Sequence, residues 1–159
     1  MVKNPATDLD RLDTRILAAL QADAGQAIAD LAEAIGLSTN ACWRRVKRLE
    51  ELGIIQGRVA LLDPAKIGLG VTVFVSVRTN EHNEAWLGQF NAAVSGIPEI
   101  VELYRMSGDI DYLLKVVVAD IAHYDRVYKQ LISLVRLTDV SSSFAMERMK
   151  YTTALPVPL

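Results

Sequence analysis

The chain is poor in the residues that carry most redox and metal chemistry. Of its 159 residues, one is cysteine and two are histidine. A lone Cys42 cannot close an intrachain disulfide, and nothing else points to an oxidising compartment. His82 and His123 stand far apart with no companions at metal-ligand spacing, so no metal site is expected. His82 falls in the polar connector EHNE and His123 near the start of a helix, positions that suit solvated side chains. Gly-rich phosphate loops after a strand are missing, as are nucleophile motifs, so neither catalytic residues nor a cofactor are expected. No run approaches the ~20 apolar residues of a membrane span. The N-terminus is polar and acidic from Asp8 onward, without an apolar signal region, and a cytoplasmic protein is the expectation. Excess positive charge is lacking too: the net charge is −2 and the pI is near 5.7. A strongly basic balance is the usual footprint of a monomeric DNA binder. Any such role here must rest on local charge and on several copies of the module bound at once.

Local charge is what the chain does have. Residues 28–52, IADLAEAIGLSTNACWRRVKRLEEL, read as two short helices joined by a three-residue turn, with Arg44, Arg45, Lys47 and Arg48 clustered in the second. Ile28, Leu31, Ala32 and Ile35 recur at i, i+3, i+4 and i+7, an apolar stripe on one helical face. Gly36 sits where a helix C-terminus favours a residue tolerant of positive φ. Ser38 suits the N-cap of the next helix, its hydroxyl accepting an orphan N–H. There Cys42, Val46 and Leu49 share one side, which makes Cys42 a small buried hydrophobe rather than a redox switch. Asn40, Arg44, Lys47 and Glu51 fall opposite, with Trp43 and Arg48 on the flanks. Gly53 closes the helix, and Ile54 to Leu62 reads as a small two-stranded wing. Residues 1–57 would then be a winged helix–turn–helix, and 58–70 a connector that includes a wing strand. Such a motif hides the inner face of its second helix and offers the outer one to the DNA major groove. Candidate DNA contacts are Ser38, Thr39, Asn40, Trp43, Arg44 and Lys47 at base edges and phosphates, and Arg48 and Arg58 at phosphates. The same spacing also fits a plain helical hairpin with a solvated basic face.

Upstream, residues 1–6 read as a loose tail. Thr7, with Asp10 three residues on, forms a weak capping box. Leu9, Leu12, Ile16, Leu17 and Leu20 make the stripe of a first helix ending near Gln21. Asp8, Asp10 and Asp13 fall in its first turns, where the helix dipole favours them. Downstream, Asp63-Pro64 and Gly68-Leu69-Gly70 mark a boundary between domains. From Val71 the period becomes two, with Val71, Val73, Val75 and Val77 on one side of a strand and Thr72, Phe74, Ser76 and Arg78 on the other. A helix carrying Trp86, Phe90, Ala93, Val94 and Ile97 follows. Strands at 101–106 and 112–118 are joined by a tight Ser107-Gly108-Asp109 turn. Asp120 caps a helix with Tyr124, Val127, Tyr128, Leu131 and Val135, and a last strand runs from about 140 to 149. Over residues 71–159 the order βαββαβ is ferredoxin-like, so the chain as a whole is α+β. Helices would cover one face of that sheet. Phe74, with Leu103 or Tyr104, leaves the other face too apolar for water, and self-association is expected.

The Gly108 turn offers backbone N–H groups that could receive a carboxylate, and Asp111 nearby could accept from an ammonium group. A free amino acid carries both charges. The same residues are also ordinary for a hairpin turn.

Five segments in order, LDRLDTRILAALQADA, LAEAIGLS, CWRRVKRLEELGIIQGRVALLDPAKIG, YRMSGDIDYLLKVVV and MERMKYTTALPV, resemble the Lrp/AsnC (feast/famine) family of bacterial and archaeal transcription regulators over nearly the whole chain. Gln26 departs from the pattern, standing where the family often has an arginine. The resemblance implies sheets packed face to face as a homodimer, and dimers assembling into octamers. It also implies a small-molecule effector, an amino acid or relative, held between dimers by residues at and around the turn. Matching of motifs carries that role to Met106, Ser107, Gly108 and Asp111, with Tyr104 as a wall and Ser141 from a neighbouring subunit. The function that follows is a sequence-specific regulator that binds double-stranded DNA, responds to such an effector and spans no membrane. Two alternatives stay open. One is an architectural protein that wraps DNA with little sequence preference. The other is an enzyme, since a relative of the family uses this fold for tetrapyrrole decarboxylation.

Overall fold

The structure, a computed structural model, describes residues 9–81 and 83–157. Thr7, Asp8, His82 and the N-terminal tail lie outside them. Two compact units emerge. One runs to Ala60 and takes in the tail from Lys150; the other is Leu61–Met149. Gln21 ties the tail to α1's end of the first unit: its side-chain amide accepts from the Leu155 N–H at 2.6 Å and donates to the Leu155 carbonyl at 3.0 Å.

Three helices build the first unit: α1 (Arg11–Ala22), α2 (Ile28–Ile35) and α3 (Thr39–Glu51). A capping box closes the start of α1 one turn later than expected, at Asp10 and Asp13. Asp10 Oδ1 accepts from the N–H groups of Leu12 and Asp13, and Asp13 Oδ2 accepts from the Asp10 N–H. At the other end Gln26 supplies what the helix lacks. Its amide donates to the Asp23 carbonyl (2.6 Å), left open past the helix end, and to the Ala19 carbonyl (3.1 Å), which also accepts from the Asp23 N–H. Gly36 ends α2 in the left-handed conformation at φ 79°, as its position predicts. Ser38 caps α3, accepting from the Ala41 N–H at 3.3 Å. Ile16, Leu31, Ala32, Ile35, Cys42, Val46 and Leu49 close a small core.

The wing strands are not formed. Residues 54–62 carry no strand pairing. The N–H groups of Ile54 and Ile55 instead donate to the Leu49 carbonyl at 3.0 and 3.1 Å. That satisfies the C-terminus of α3 and packs Ile54 and Ile55 against the three-helix core. Val59, Leu61 and Leu62 are left exposed.

The second unit is a four-stranded antiparallel sheet with two helices. It runs β1 (Val71–Arg78), α4 (Glu84–Ser95), β2 (Ile100–Arg105), β3 (Tyr112–Val118), α5 (Ile121–Leu134) and β4 (Asp139–Phe144), in strand order β2-β3-β1-β4. This is the expected ferredoxin-like topology. The alternation predicted for β1 holds: Val73, Val75 and Val77 are buried against α4 and α5, while Phe74 and Arg78 are exposed. Trp86 stacks on Phe90, which meets Tyr112, with centroids 4.9 and 4.8 Å apart. β4 stops at Phe144 rather than near 149 because its partner β1 begins at Val71. The last bond of that edge is from the Ala145 N–H to the Thr72 carbonyl. A register shift between Ile100 and Glu102 bulges β2 and throws Val101 outward.

Register fixes what the open face carries. Phe74 pairs with Lys115, Tyr104 with Leu113 and Glu102 with Lys115, so these side chains share the face opposite the helices. Leu103 pairs with Leu114 and packs into the core, which leaves Tyr104 as the aromatic on the open side. His123 is not free in water as expected. Its ring is part-buried, with Nε2 3.0 Å from Glu99 Oε1.

Candidate functional site

The cations of α3 divide into two groups. Thr39, Asn40, Trp43, Arg44 and Lys47 lie on its exposed side. Trp43 is 47% exposed, and the Lys47 ammonium sits over its ring at 5.1 Å from the centroid, a cation–π contact that holds both side chains together. Among the described residues Arg44 has no ion-pair partner. Arg45 and Arg48 turn the other way, onto α1. Arg45 Nη1 bridges Asp10 Oδ2 (2.7 Å) and Asp13 Oδ1 (2.8 Å), and Arg48 Nη2 reaches Asp13 Oδ2 at 2.5 Å. Asp13 is 0% exposed. A buried carboxylate needs partners of this kind, because an uncompensated charge in the core is costly. The Asp13 N–H, and after it Arg45, hold the Asp10 carboxyl below the usual carboxylate range. Burial pushes the Cys42 thiol up, which keeps it neutral and unreactive.

Two expected phosphate contacts are therefore already engaged. Arg48 serves Asp13, although its guanidinium remains partly open to solvent. Arg58 pairs with Glu50 at 3.0 Å. Arg44, Arg45 and Arg48, together with Asp10, Leu37 and Ala41, line an open concavity of about 580 Å³ beside the exposed helix face.

The second candidate lies at the hairpin between β2 and β3. Gly108 takes φ 118°, which L side chains rarely adopt. The Met106 N–H donates to the Asp111 carbonyl and the Asp111 N–H to the Val77 carbonyl, so the turn is stitched to the end of β1. Asp111 is not simply waiting for an ammonium group. Its Oδ2 accepts from the Thr79 N–H at 2.8 Å, which closes the turn from inside. Arg78 Nε donates to the Asp109 carbonyl at 2.6 Å. Met106, Ser107, Gly108 and Asp109 are exposed. Tyr104 lies on the open sheet face, donating its hydroxyl to Glu102, which Lys115 also holds at 2.7 Å. That salt bridge keeps the Glu102 carboxyl below its ordinary range, and Glu102 in turn raises the Tyr104 phenol. Ser141 is on β4, opposite Ser76, with β1 and β3 between it and Tyr104. One subunit thus brings Met106 to Asp111 together at one end of the sheet but leaves Ser141 on the far edge strand.

Residues 9–56 match the family model of winged helix-turn-helix DNA-binding domains, and residues 72–155 match that of the Lrp/AsnC ligand binding domain. The chain belongs to the Lrp/AsnC family of transcriptional regulators. This Lrp/AsnC regulator is 56% identical to a glutamate uptake regulatory protein of Zymomonas mobilis over 94% of its own length and 92% of that protein's. It superimposes on the crystal structure of an AsnC family transcriptional regulator from Agrobacterium tumefaciens with a TM-score of 0.90 at 59% identity, covering 93% and 97% of the two chains. A Neisseria meningitidis transcriptional regulator, solved as a complex with L-Met, matches with a TM-score of 0.88 at 34% identity over 93% and 96%. Among the described residues no helix of the Lrp/AsnC regulator is long and apolar enough to cross a membrane.

Sequence reasoning missed Asp13 as the ionic centre of the DNA-binding unit, placing it instead among dipole-compensating acids. The signal was present. Asp13 interrupts the stripe of Leu9, Leu12, Ile16 and Leu20, and a carboxylate on a buried face calls for cations such as Arg45 and Arg48, one turn apart. Arg15 was passed over as well. It donates to the carbonyls of Ile35 and Ala34, both at 3.0 Å, and ties α1 to the end of α2.

Proposed function

We propose that this Lrp/AsnC regulator reads duplex DNA in the major groove with α3 and answers to an amino acid or a related small metabolite. The observation that carries the DNA half is the division on α3: Cys42, Val46 and Leu49 are buried, while Asn40, Trp43, Arg44 and Lys47 stand exposed on the other side. In this reading Thr39, Asn40, Trp43, Arg44 and Lys47 approach base edges. Ser38, Arg48 and Arg58 lie where phosphates pass. The effector half rests on the match of residues 72–155 to a ligand binding domain, and on the relative solved with L-Met. Met106, Ser107, Gly108, Asp111 and Tyr104 would form one wall of the site, and Ser141 of a neighbouring subunit would help close it. The open sheet face, with Phe74 39% exposed beside Leu113 and Tyr104, favours a homodimer, and dimers would assemble further into octamers. The regulator would work in the cytoplasm and without catalysis; its relatives are named as regulators.

The test uses duplexes selected from a random library against unselected duplex. Arg44→Ala should weaken selected-site binding by ~1–3 kcal/mol if it reads a guanine. Equal losses on both duplexes with a shallower salt slope would reduce Arg44 to a phosphate contact. Absence of any preferred duplex would favour the architectural reading. For the effector, a thermal-shift screen of the twenty amino acids should give a hit. Asp111→Asn keeps an acceptor for the Thr79 N–H but removes the charge, and it should abolish that shift. An unchanged shift rejects the site.

A further inference from the structure

The concavity beside α3 has a feature that DNA binding alone does not require: a fixed carboxylate on its rim. We propose that this concavity seats a DNA backbone phosphate, and that Asp10 competes with that phosphate for Arg45 so that random-sequence DNA is held weakly. The inference rests on α3 being the DNA-facing helix.

Three guanidiniums meet at the site, and they differ in what stands behind them. Arg44 is unpaired among the described residues. Arg48 is held by Asp13, which is buried and cannot be displaced by anything from solvent. Arg45 is shared between buried Asp13 and Asp10, whose side chain is 51% exposed. Asp10 cannot swing aside at no cost. One of its oxygens caps α1, accepting from Leu12 and Asp13 at 2.8 and 2.9 Å, and the other meets Arg45 at 2.7 Å. It is a negative charge mounted on a helix end. Leu37 and Ala41 supply apolar wall, which strengthens charge–charge interactions nearby.

Each guanidinium has five donors, so Arg45 can donate to a phosphate while still holding Asp13. On a loosely bound random duplex, phosphates stay beyond contact distance, and the Arg45 charge is cancelled by its carboxylate neighbours. Little counterion is then released on Arg45's account. When α3 sits flush in a matching groove, a phosphate at contact distance replaces Asp10 as the partner of the outer guanidinium edge. Asp10 thereby widens the gap between specific and random binding. It is a specificity residue acting through Arg45, not a contact to the bases.

Asp10→Asn separates this role from the cap, since asparagine caps helices as well as aspartate does. Affinity for selected and random duplexes is measured across a salt series. Asp10→Asn should tighten random binding several-fold and steepen its log K against log salt slope by up to about 0.9, the increment for one phosphate. The ratio of selected to random affinity should fall. Asp10→Ser, which also caps and carries no charge, should do the same, and serves if the asparagine variant is poorly folded. In an Arg45→Gln background the Asp10→Asn effect should vanish. Its persistence there would mean a general change in net charge and would overturn the proposal, as would an unchanged slope and ratio in the single variants. If Arg44→Ala leaves all DNA binding untouched, the orientation of α3 is what fails. If Arg44→Ala weakens binding while Asp10→Asn changes nothing, only the competition is refuted.

Discussion

The two units of this regulator solve the same problem by opposite means. In Leu61–Met149, orientation is set by backbone ladders, and the core between sheet and helices is mainly apolar, built around Phe90, Leu114 and a row of valines. Among its charged pairs, Lys115 with Glu102 and Arg78 with Asp139 stay partly open to solvent. Among its described residues the three-helix unit has no ladder, and its buried core is seven residues. There a carboxylate is buried instead, and Asp13 binds α1 to α3 through Arg45 and Arg48. Apolar contact is non-directional, whereas charge-assisted hydrogen bonds have geometry. A small helical core can therefore fix the angle of α3 with ions where a sheet needs none. The lesson is that a basic cluster counted from sequence overstates the charge on offer: two of four cations on α3 are engaged internally.

The largest expected effects test that contrast directly, and each unit carries its own tryptophan as reporter. Asp13→Ala removes the charge-assisted bonds to Arg45 and Arg48 and the bond from the Asp10 N–H, leaving Arg45 on Asp10 alone. At about 1.5–3 kcal/mol for a bond to a charged group, it should destabilise the helical unit by about 3–5 kcal/mol. Denaturant unfolding followed at Trp43 in a Trp86→Phe background should show it. Phe90→Ala should cost the sheet unit about 3–5 kcal/mol through lost contacts and a cavity, read at Trp86 in a Trp43→Phe background. If either substitution moves both transitions equally, the units fold as one and the contrast between them collapses. Next in size is Gly108→Ala. An added Cβ meets nothing within 4 Å, so only the backbone strain at φ 118° is felt, on the order of 1–3 kcal/mol, with no change in the Trp43 transition. Ser38→Ala removes the cap of α3 and should cost ~1 kcal/mol in the helical unit alone.

Smallest is the Glu102–Lys115 pair, where a double-mutant cycle should give about 0.2–1 kcal/mol. Its sign with pH follows from the depressed Glu102 carboxyl. The coupling is fully present above the unfolded carboxyl value of about 4.3 and is lost as pH falls through the lower folded value. A coupling that grows with protein concentration would mean that the open sheet face is covered by a second copy, where screening by water is weaker.

Much of the fold was legible because it rests on local chemistry. The stripe at Ile28, Leu31, Ala32 and Ile35, the glycine after it, Ser38 and Asp120 as caps, and the alternation from Val71 to Arg78 each follow from backbone geometry and side-chain type. The places where the reading slipped were those where a partner distant in sequence decides. The capping box at Asp10 and Asp13 was not foreseen, because Asp13 is also held by arginines of α3. The wing strands fail because the Ile54 and Ile55 N–H groups go to Leu49. Asp111 keeps its proposed place at the effector wall, but no local pattern showed that its Oδ2 also accepts from the Thr79 N–H.

The sequence by itself determined the element order, the apolar faces and the presence of an exposed polar and basic side on α3, since all of these depend on periodicity within a dozen residues. Only the tertiary structure decided which cations remain available and which carboxylates are occupied. Ionic partners are chosen by distance in space, and Asp13 lies more than thirty residues from the arginines it binds.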